Sequence, residues 1–152
     1  MEWMLLPLKR YAEFSGRSRR KEYWMYALFL IIVGVVLGAI EGMLGLNQMI
    51  GGVYGPLSAL LGLGTLVPSI AVGVRRLHDT GRSGWWLLAI VVPYAVLAFA
   101  MISASTSLMM IASLLVLAVA VALFVFMVLP GTPGANKYGP DPKNPTSAEV
   151  FA

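Results

Sequence analysis

The stretch Val74–Trp86, with the sequence VRRLHDTGRSGWW, lies between two long apolar segments and holds the only histidine of the chain. Apolar segments of about 20 residues are long enough to cross the ~30 Å hydrocarbon core of a bilayer as helices. The composition is that of a membrane protein, since 59% of the 152 residues are hydrophobic and only 12% are charged. The sequence therefore predicts one small all-α membrane domain, in which residues 74–86 connect two spans.

Four apolar segments are predicted to form transmembrane helices. They cover residues 23–46, 56–77, 85–104 and 108–129. A basic segment, residues 1–22, precedes them, and a tail rich in glycine and proline, residues 130–152, follows them. The tail is too dense in turn formers to continue the last helix, so we expect successive turns or a loose chain there. Pro68 and Pro93 each remove a backbone donor inside a span and predict a kink, while Pro7 limits any helix in the basic segment.

The basic residues are confined to three parts of the chain. Six lie before the first span, three lie between Arg75 and Arg82, two lie in the tail, and the other two connections have none. Loops that carry lysine and arginine stay in the cytoplasm, according to the positive-inside rule. We therefore predict two helical hairpins, with both termini and residues 74–86 on the cytoplasmic side.

Several classes of chemistry are not expected. The chain has no cysteine and one histidine, which predicts neither a disulfide framework nor a metal site. We find no nucleophile motif or phosphate-binding glycine loop, and we predict no catalytic residue and no cofactor. The net charge of +4 comes from residues that flank apolar segments, which indicates membrane topology and not nucleic-acid binding.

The charges around Asp79 have two interpretations. On a helix, Asp79 can pair with Arg75 four residues before it or with Arg76 three residues before it, and Gly81 can end that helix in a left-handed conformation. In the first interpretation these charges only set topology, and His78 rests at the membrane interface.

In the second interpretation the basic residues form a binding site for anionic lipid headgroups or for a partner protein, because guanidinium groups bind phosphate bidentately. The predicted binding residues are Arg17, Arg19, Arg20, Arg75, Arg76 and Arg82. The residues predicted to orient or cap them are Glu22, His78, Asp79, Tyr138 and Asp141. This interpretation predicts a non-enzymatic binding or scaffold protein whose partners are membrane lipids.

Small residues in the first span predict close helix packing. Gly34, Gly38 and Gly42 recur every four residues, so they share one helix face that can meet a helix of this chain or of a second copy in a homo-oligomer. Glu41 lies near the far end of the same span, where we expect it at the interface and not at a buried proton site.

Two other functions remain open. The interruption from Gly62 to Pro68 in the second span resembles the broken helices at transporter sites, although a simple packing kink explains it as well. A small transporter or channel subunit is therefore the alternative function. An enzyme would use His78 as acid or base, and it would need a partner from elsewhere, since Asp79 projects about 100° away on a helix.

Three motifs together resemble a known family. They are residues 14–24 (FSGRSRRKEYW), the stretch Val74–Trp86, and residues 130–142 (PGTPGANKYGPDP). The chain is similar, from about Phe14 to Pro142, to the bacterial inner-membrane family called domain of unknown function 805. The resemblance implies a multi-pass helical protein of the bacterial inner membrane, and it implies no activity.

Overall fold

The computed structural model describes residues 2–46 and 55–143, and this part of the chain is built from helices and turns. The helices are α1 (Glu2–Lys9), α2 (Arg20–Met43), α3 (Pro56–Asp79), a 3-10 helix (Gly84–Ile90), α4 (Val91–Ile102) and α5 (Thr106–Val128). Most of the predicted connection between the first two spans lies outside the described residues, and so does the part of the tail after Lys143.

Four of these elements are long and apolar enough to cross a membrane, as the sequence predicts. They are α2, α3, the 3-10 helix together with α4, and α5. The first span begins three residues earlier than predicted, at Arg20, and the second runs two residues further, to Asp79. Large apolar side chains such as Ile31 and Leu114 are more than half exposed on these helices, as expected for side chains that face lipid.

The N-terminal segment contains a helix that the sequence analysis did not expect. Helix α1 passes through Pro7, whose side chain is fully buried. The expectation that proline limits helix formation here is wrong. Pro7 has no N–H group, so this helix of eight residues lacks one backbone hydrogen bond, but the fixed φ of proline fits a helix.

The third span changes helix type before Pro93. Residues Gly84–Ile90 form a 3-10 helix, and the α-helical part begins only at Val91. Pro93 therefore occupies the first turn of α4, where backbone N–H groups have no intrahelical acceptor and a missing donor costs little. The predicted irregularity thus lies in the turns that precede Pro93.

The described chain divides into two compact units, and α3 continues from one into the other. The first unit comprises the residues up to Phe14 and Lys21–Val72, and the second comprises Ser15–Arg20 and the chain from Gly73 onward. In the second unit the 3-10 helix and α4 pack against α5.

In the first unit, Glu41 of α2 caps the start of α3. Its carboxylate accepts hydrogen bonds from the backbone N–H groups of Leu57 at 2.5 Å and Ser58 at 3.0 Å, and from the Ser58 hydroxyl at 2.5 Å. These amides are among the first four of a helix, which lack intrahelical acceptors, and the helix dipole favours an anion there. The Glu41 side chain is therefore buried against the start of α3, with 1% exposure, two residues before the end of α2.

The glycine face of α2 is open in the described chain. A Cβ atom added to Gly34 or to Gly38 would meet no atom within 4 Å. The predicted contact of this face with a helix of the same chain is thus absent at both glycines, in the part of the chain that the structure describes. Contact with a second copy stays a prediction.

Candidate functional site

The residues predicted as a binding site converge where α3 ends, and at their centre Asp79 binds two arginines. Its Oδ1 atom accepts from Nε of Arg17 at 3.0 Å, and its Oδ2 atom accepts from Nη1 of Arg76 at 2.5 Å. Of the two partners predicted along α3, the structure pairs Arg76 with Asp79. The exposed fraction is 5% for Arg17, 0% for Arg76 and 4% for Asp79, so the charges are buried together. We call these three residues the arginine cluster.

Arg17 directs its donors to Asp79 and to the tail. Nη1 donates to the carbonyl of Gly134 at 2.6 Å and more weakly to that of Gly139 at 3.5 Å, and Nη2 donates to the carbonyl of Thr132 at 2.6 Å. Nη2 also lies 3.0 Å from Oδ1 of Asp79. A guanidinium group has five N–H donors in a fixed plane, and each of the three nitrogens of Arg17 has a close oxygen acceptor in this set. Arg17 therefore ties the tail to the end of α3.

Arginines also bind the end of α5. Arg76 donates through Nε to the carbonyl of Met127 at 3.1 Å and through Nη2 to that of Leu129. Arg20 donates through Nε to the same Leu129 carbonyl at 2.8 Å. The last carbonyls of a helix lack intrahelical donors and carry the negative end of its dipole, so cations stabilise them. The two arginines thus cap α5 at the point where the tail begins.

The end of α3 has the geometry that Gly81 predicts. The N–H of Arg82 donates to the carbonyl of Leu77 at 2.9 Å, and the N–H of Gly81 donates to that of His78 at 3.0 Å. With a φ of 75° at Gly81, this pair of bonds is a Schellman motif. The prediction that Gly81 ends the helix is confirmed.

The tail then folds directly against Asp79. The N–H of Thr132 donates to the Asp79 carbonyl at 2.8 Å, and the Thr132 hydroxyl donates to it at 3.2 Å. A Cβ atom added to Gly131 would lie 2.1 Å from Oδ2 of Asp79, which is closer than any real contact. Gly131 is therefore required for this approach of the tail.

Further along, the described part of the tail, up to Lys143, forms turns. Asn136 and Gly139 exchange two backbone hydrogen bonds at 3.0 Å, and the Asn136 side chain accepts from the N–H of Tyr138 at 2.9 Å. The Asp141 carboxylate accepts from the N–H of Lys143 at 2.9 Å and of Gly134 at 3.2 Å. The first of these bonds is the main reason why the pKa of Asp141 lies below its ordinary value.

His78 is bound on two sides. Its Nδ1 atom lies 3.1 Å from the carbonyl of Gly16, and because a carbonyl only accepts, Nδ1 carries the proton. Its ring stacks on that of Tyr138, with 3.8 Å between the centroids and 4° between the planes. Within the described chain the ring thus contacts a carbonyl and an aromatic face, and neither is the acid–base partner that an enzyme would need.

Arg19 and Arg75, two more of the predicted binding residues, lie in the second unit with this centre, and Glu22 belongs to the first unit. Arg19 donates to the carbonyl of Pro142 through Nε and Nη2. The side chain of Arg75 is fully buried, and its carbonyl accepts from the N–H of Ser18 at 3.0 Å. Glu22 is also buried, with 3% exposure.

Arg82 and Arg20 bind the rest of the chain less completely than Arg17 does. The guanidinium carbon of Arg82 lies 4.1 Å from the centroid of the Phe126 ring, and its hydrogen bond to the Thr80 carbonyl is long, at 3.4 Å. Arg20 is exposed, and its guanidinium group donates through Nε to the Leu129 carbonyl. Trp85, three residues after Arg82, is 77% exposed.

The polar groups at the interruption of α3 are bound within the first unit. The hydroxyls of Thr65 and Ser69 donate to the carbonyls four residues before them, at 2.7 and 2.6 Å. The carbonyl of Gly64, which Pro68 leaves without its helical donor, accepts from the hydroxyl of Tyr11 at 2.8 Å. Tyr11 was not among the predicted site residues, because periodicity in a sequence does not show contacts between distant segments.

Comparison with known proteins agrees with the three motifs. A family model described as "Protein of unknown function (DUF805)" matches residues 11–140. The "Inner membrane protein YhaH" of Escherichia coli (strain K12) is 42% identical over 143 residues, which are 94% of this chain and 98% of that protein. The "Inner membrane protein YhaI" of the same strain is 41% identical over 143 residues, 94% and 97% of the two chains. The "Uncharacterized protein YiiR" is 29% identical over 133 residues, 84% of each chain. No solved structure matches.

Proposed function

The chain belongs to the DUF805 family of inner-membrane proteins, and we propose that it is a non-enzymatic binding or scaffold protein that presents its folded tail on the cytoplasmic side. In this proposal the four spans form two helical hairpins with both termini inside. The distribution of the eleven lysines and arginines, all outside the two other connections, supports this orientation.

The ligand that we propose is an anionic lipid headgroup, bound by Arg82 and Arg20. The observation that carries this proposal is the environment of Arg82, whose guanidinium group makes one hydrogen bond in the described chain, and that bond is long. Trp85, three residues further on, is exposed. Exposed tryptophans are typical of headgroup depth, and arginine is suited to phosphate. Stacking on Phe126 holds the guanidinium in place without using its N–H groups.

The buried arginines have a structural role in this proposal and do not bind the ligand. Arg17 and Arg76 bind Asp79 and carbonyls of the chain itself, so they hold the tail and the end of α5. The tail is thereby fixed as a folded surface at the end of the helices, which suits a partner protein as well as a membrane. A scaffold role is the second part of the proposal.

The experiment compares lipid binding by wild type and by Arg20→Gln with Arg82→Gln. A basic residue near an anionic surface contributes about 1 kcal/mol, which corresponds to roughly fivefold in affinity. We expect the double variant to retain at least tenfold less phosphatidylglycerol in native mass spectrometry from mixed micelles. Lys137→Gln, which removes one exposed charge from the tail, is the matched control. Equal retention by wild type and the double variant would contradict the proposed ligand.

A further inference from the structure

A residue of the N-terminal segment, residues 2–13, supplies a hydrogen-bond donor that the backbone of α3 lacks. The donor for the Gly64 carbonyl in an uninterrupted helix would be the N–H of residue 68, and Pro68 has none. The hydroxyl of Tyr11 donates to this carbonyl at 2.8 Å instead. A buried or lipid-facing carbonyl without a donor is costly, so this bond has a clear energetic reason.

The position of Gly64 along α3 places this contact within the bilayer. Helix α3 has 24 residues and is therefore about 36 Å long, which exceeds the ~30 Å hydrocarbon core only slightly. Gly64 lies about 12 Å from the Pro56 end and about 22 Å from the Asp79 end at 1.5 Å per residue. However the helix is centred, Gly64 lies at least about 6 Å inside the hydrocarbon. Measured from the Asp79 end of α3, Gly64 lies at least about 16 Å inside the hydrocarbon. This depth is greater than a tyrosine side chain and one hydrogen bond can span, so the backbone of Tyr11 also lies within the hydrocarbon.

The Arg10–Glu13 pair and the Trp3 ring of the N-terminal segment fit such a position, and the exposed Lys9 can extend its long side chain toward the interface. Arg10 and Glu13, on either side of Tyr11, form a pair of hydrogen bonds of 2.5 Å each, which neutralises both side chains. Paired charges are the form in which ionised groups enter an apolar medium. At the other end of the segment, Trp3 lies 5.6 Å from Nζ of Lys21 at the start of α2, a combination typical of the membrane interface.

We infer that the N-terminal segment is a re-entrant membrane element, which enters the bilayer beside the start of α2, closes the backbone of α3 through the Tyr11 hydroxyl and leaves on the same side. The interruption at Pro68 is then a docking site for the chain's own N-terminal segment. This inference does not depend on the proposed lipid ligand.

Cysteine labelling tests the depth of the segment, and the absence of native cysteine gives a clean background. Ala12 is exposed on the protein surface, so that only lipid can shield a thiol at this position. A thiol reacts as the thiolate, which does not form in hydrocarbon. We expect Ala12→Cys in membrane vesicles of either orientation to react with a membrane-impermeant maleimide at least tenfold more slowly than Lys137→Cys does from its accessible side. Equal rates would overturn the inference.

Two further variants test the role of Tyr11. In the Ala12→Cys background, Tyr11→Phe removes the donor to Gly64, and the labelling rate should rise several-fold. Pro68→Ala restores the helical N–H, so it should raise the rate as well, and Tyr11→Phe should then add nothing. If Tyr11→Phe leaves the labelling rate unchanged while Pro68 is present, the hydrogen bond does not hold the segment and this part of the inference fails.

Discussion

Arg17 and Asp79 are 62 residues apart in the chain, yet Nε of Arg17 donates to Oδ1 of Asp79 at 3.0 Å. The same carboxylate binds Arg76, and the other N–H groups of Arg17 bind carbonyls of the tail. One buried carboxylate thus fixes the position of two guanidinium groups, and through Arg17 it fixes the fold of the tail.

Removing the carboxylate should be strongly destabilising. Asp79→Ala leaves Arg17 and Arg76 buried without their counter-charge, which typically costs about 3–5 kcal/mol. We expect a clearly lower unfolding midpoint for the purified protein in mild detergent. Lys137→Gln, at the exposed tip of the tail, should stay within about 0.5 kcal/mol of wild type. An Asp79→Ala variant as stable as this control would show that the cluster does not stabilise the fold.

Two glycine-to-alanine substitutions should differ in their effect on stability, because the two glycines have different surroundings. A methyl group at Gly131 would overlap the Asp79 carboxylate, so Gly131→Ala should cost about 1–3 kcal/mol as the tail shifts. A methyl group at Gly34 meets nothing within 4 Å, so Gly34→Ala should leave monomer stability unchanged or slightly higher. Thermal unfolding in detergent compares the two. Equal midpoints would contradict the close contact between Gly131 and Asp79.

Because Glu41 caps α3, the substitution Glu41→Gln should lower the free energy of unfolding. The substitution removes the negative charge that faces the first amides of α3, and we expect a loss of about 1–2 kcal/mol. Denaturant unfolding in detergent measures it, with the exposed Glu2→Gln as the matched control. If the two variants unfold at the same denaturant concentration, the charge of Glu41 contributes nothing to the cap.

The tail should loosen at acid pH through Asp141. Its pKa is lower in the folded tail than its ordinary value, mainly because of the Lys143 N–H. The carboxylate therefore stabilises the folded tail above about pH 4 and loses this contribution as the pH falls through the lowered pKa. Asp141→Asn lacks the contribution at every pH. An acid protease measures this difference through the rate at which it cleaves the tail. The cleavage rate of the variant divided by that of wild type should fall toward one between about pH 5 and pH 2. A constant ratio would contradict this.

Features that depend on nearby residues are predictable from the sequence, and those that join distant residues are not. Hydropathy located the four spans, and the left-handed preference of glycine located the end of α3 at Gly81. Helix spacing limited the possible partners of Asp79 on α3 to Arg75 and Arg76, and in the structure Arg76 binds it. No local pattern could indicate that Arg17 would use its donors on the tail, or that Tyr11 would bind the Gly64 carbonyl, because long-range pairing leaves no periodicity. The three groups of basic residues in the sequence indicated which arginines lie close together, but not which groups of the chain each of them binds.

We infer that Arg17 holds the tail in place and does not bind an external phosphate. Hydrogen exchange of the tail amides in Arg17→Lys tests this most directly, because lysine keeps the charge but loses the planar set of five donors. We expect the amides of Thr132, Asn136 and Gly139 to exchange at least tenfold faster in Arg17→Lys than in wild type. Each hydrogen bond to a charged group makes a net contribution to stability of about 1.5–3 kcal/mol. Unchanged protection of these three amides would contradict this inference.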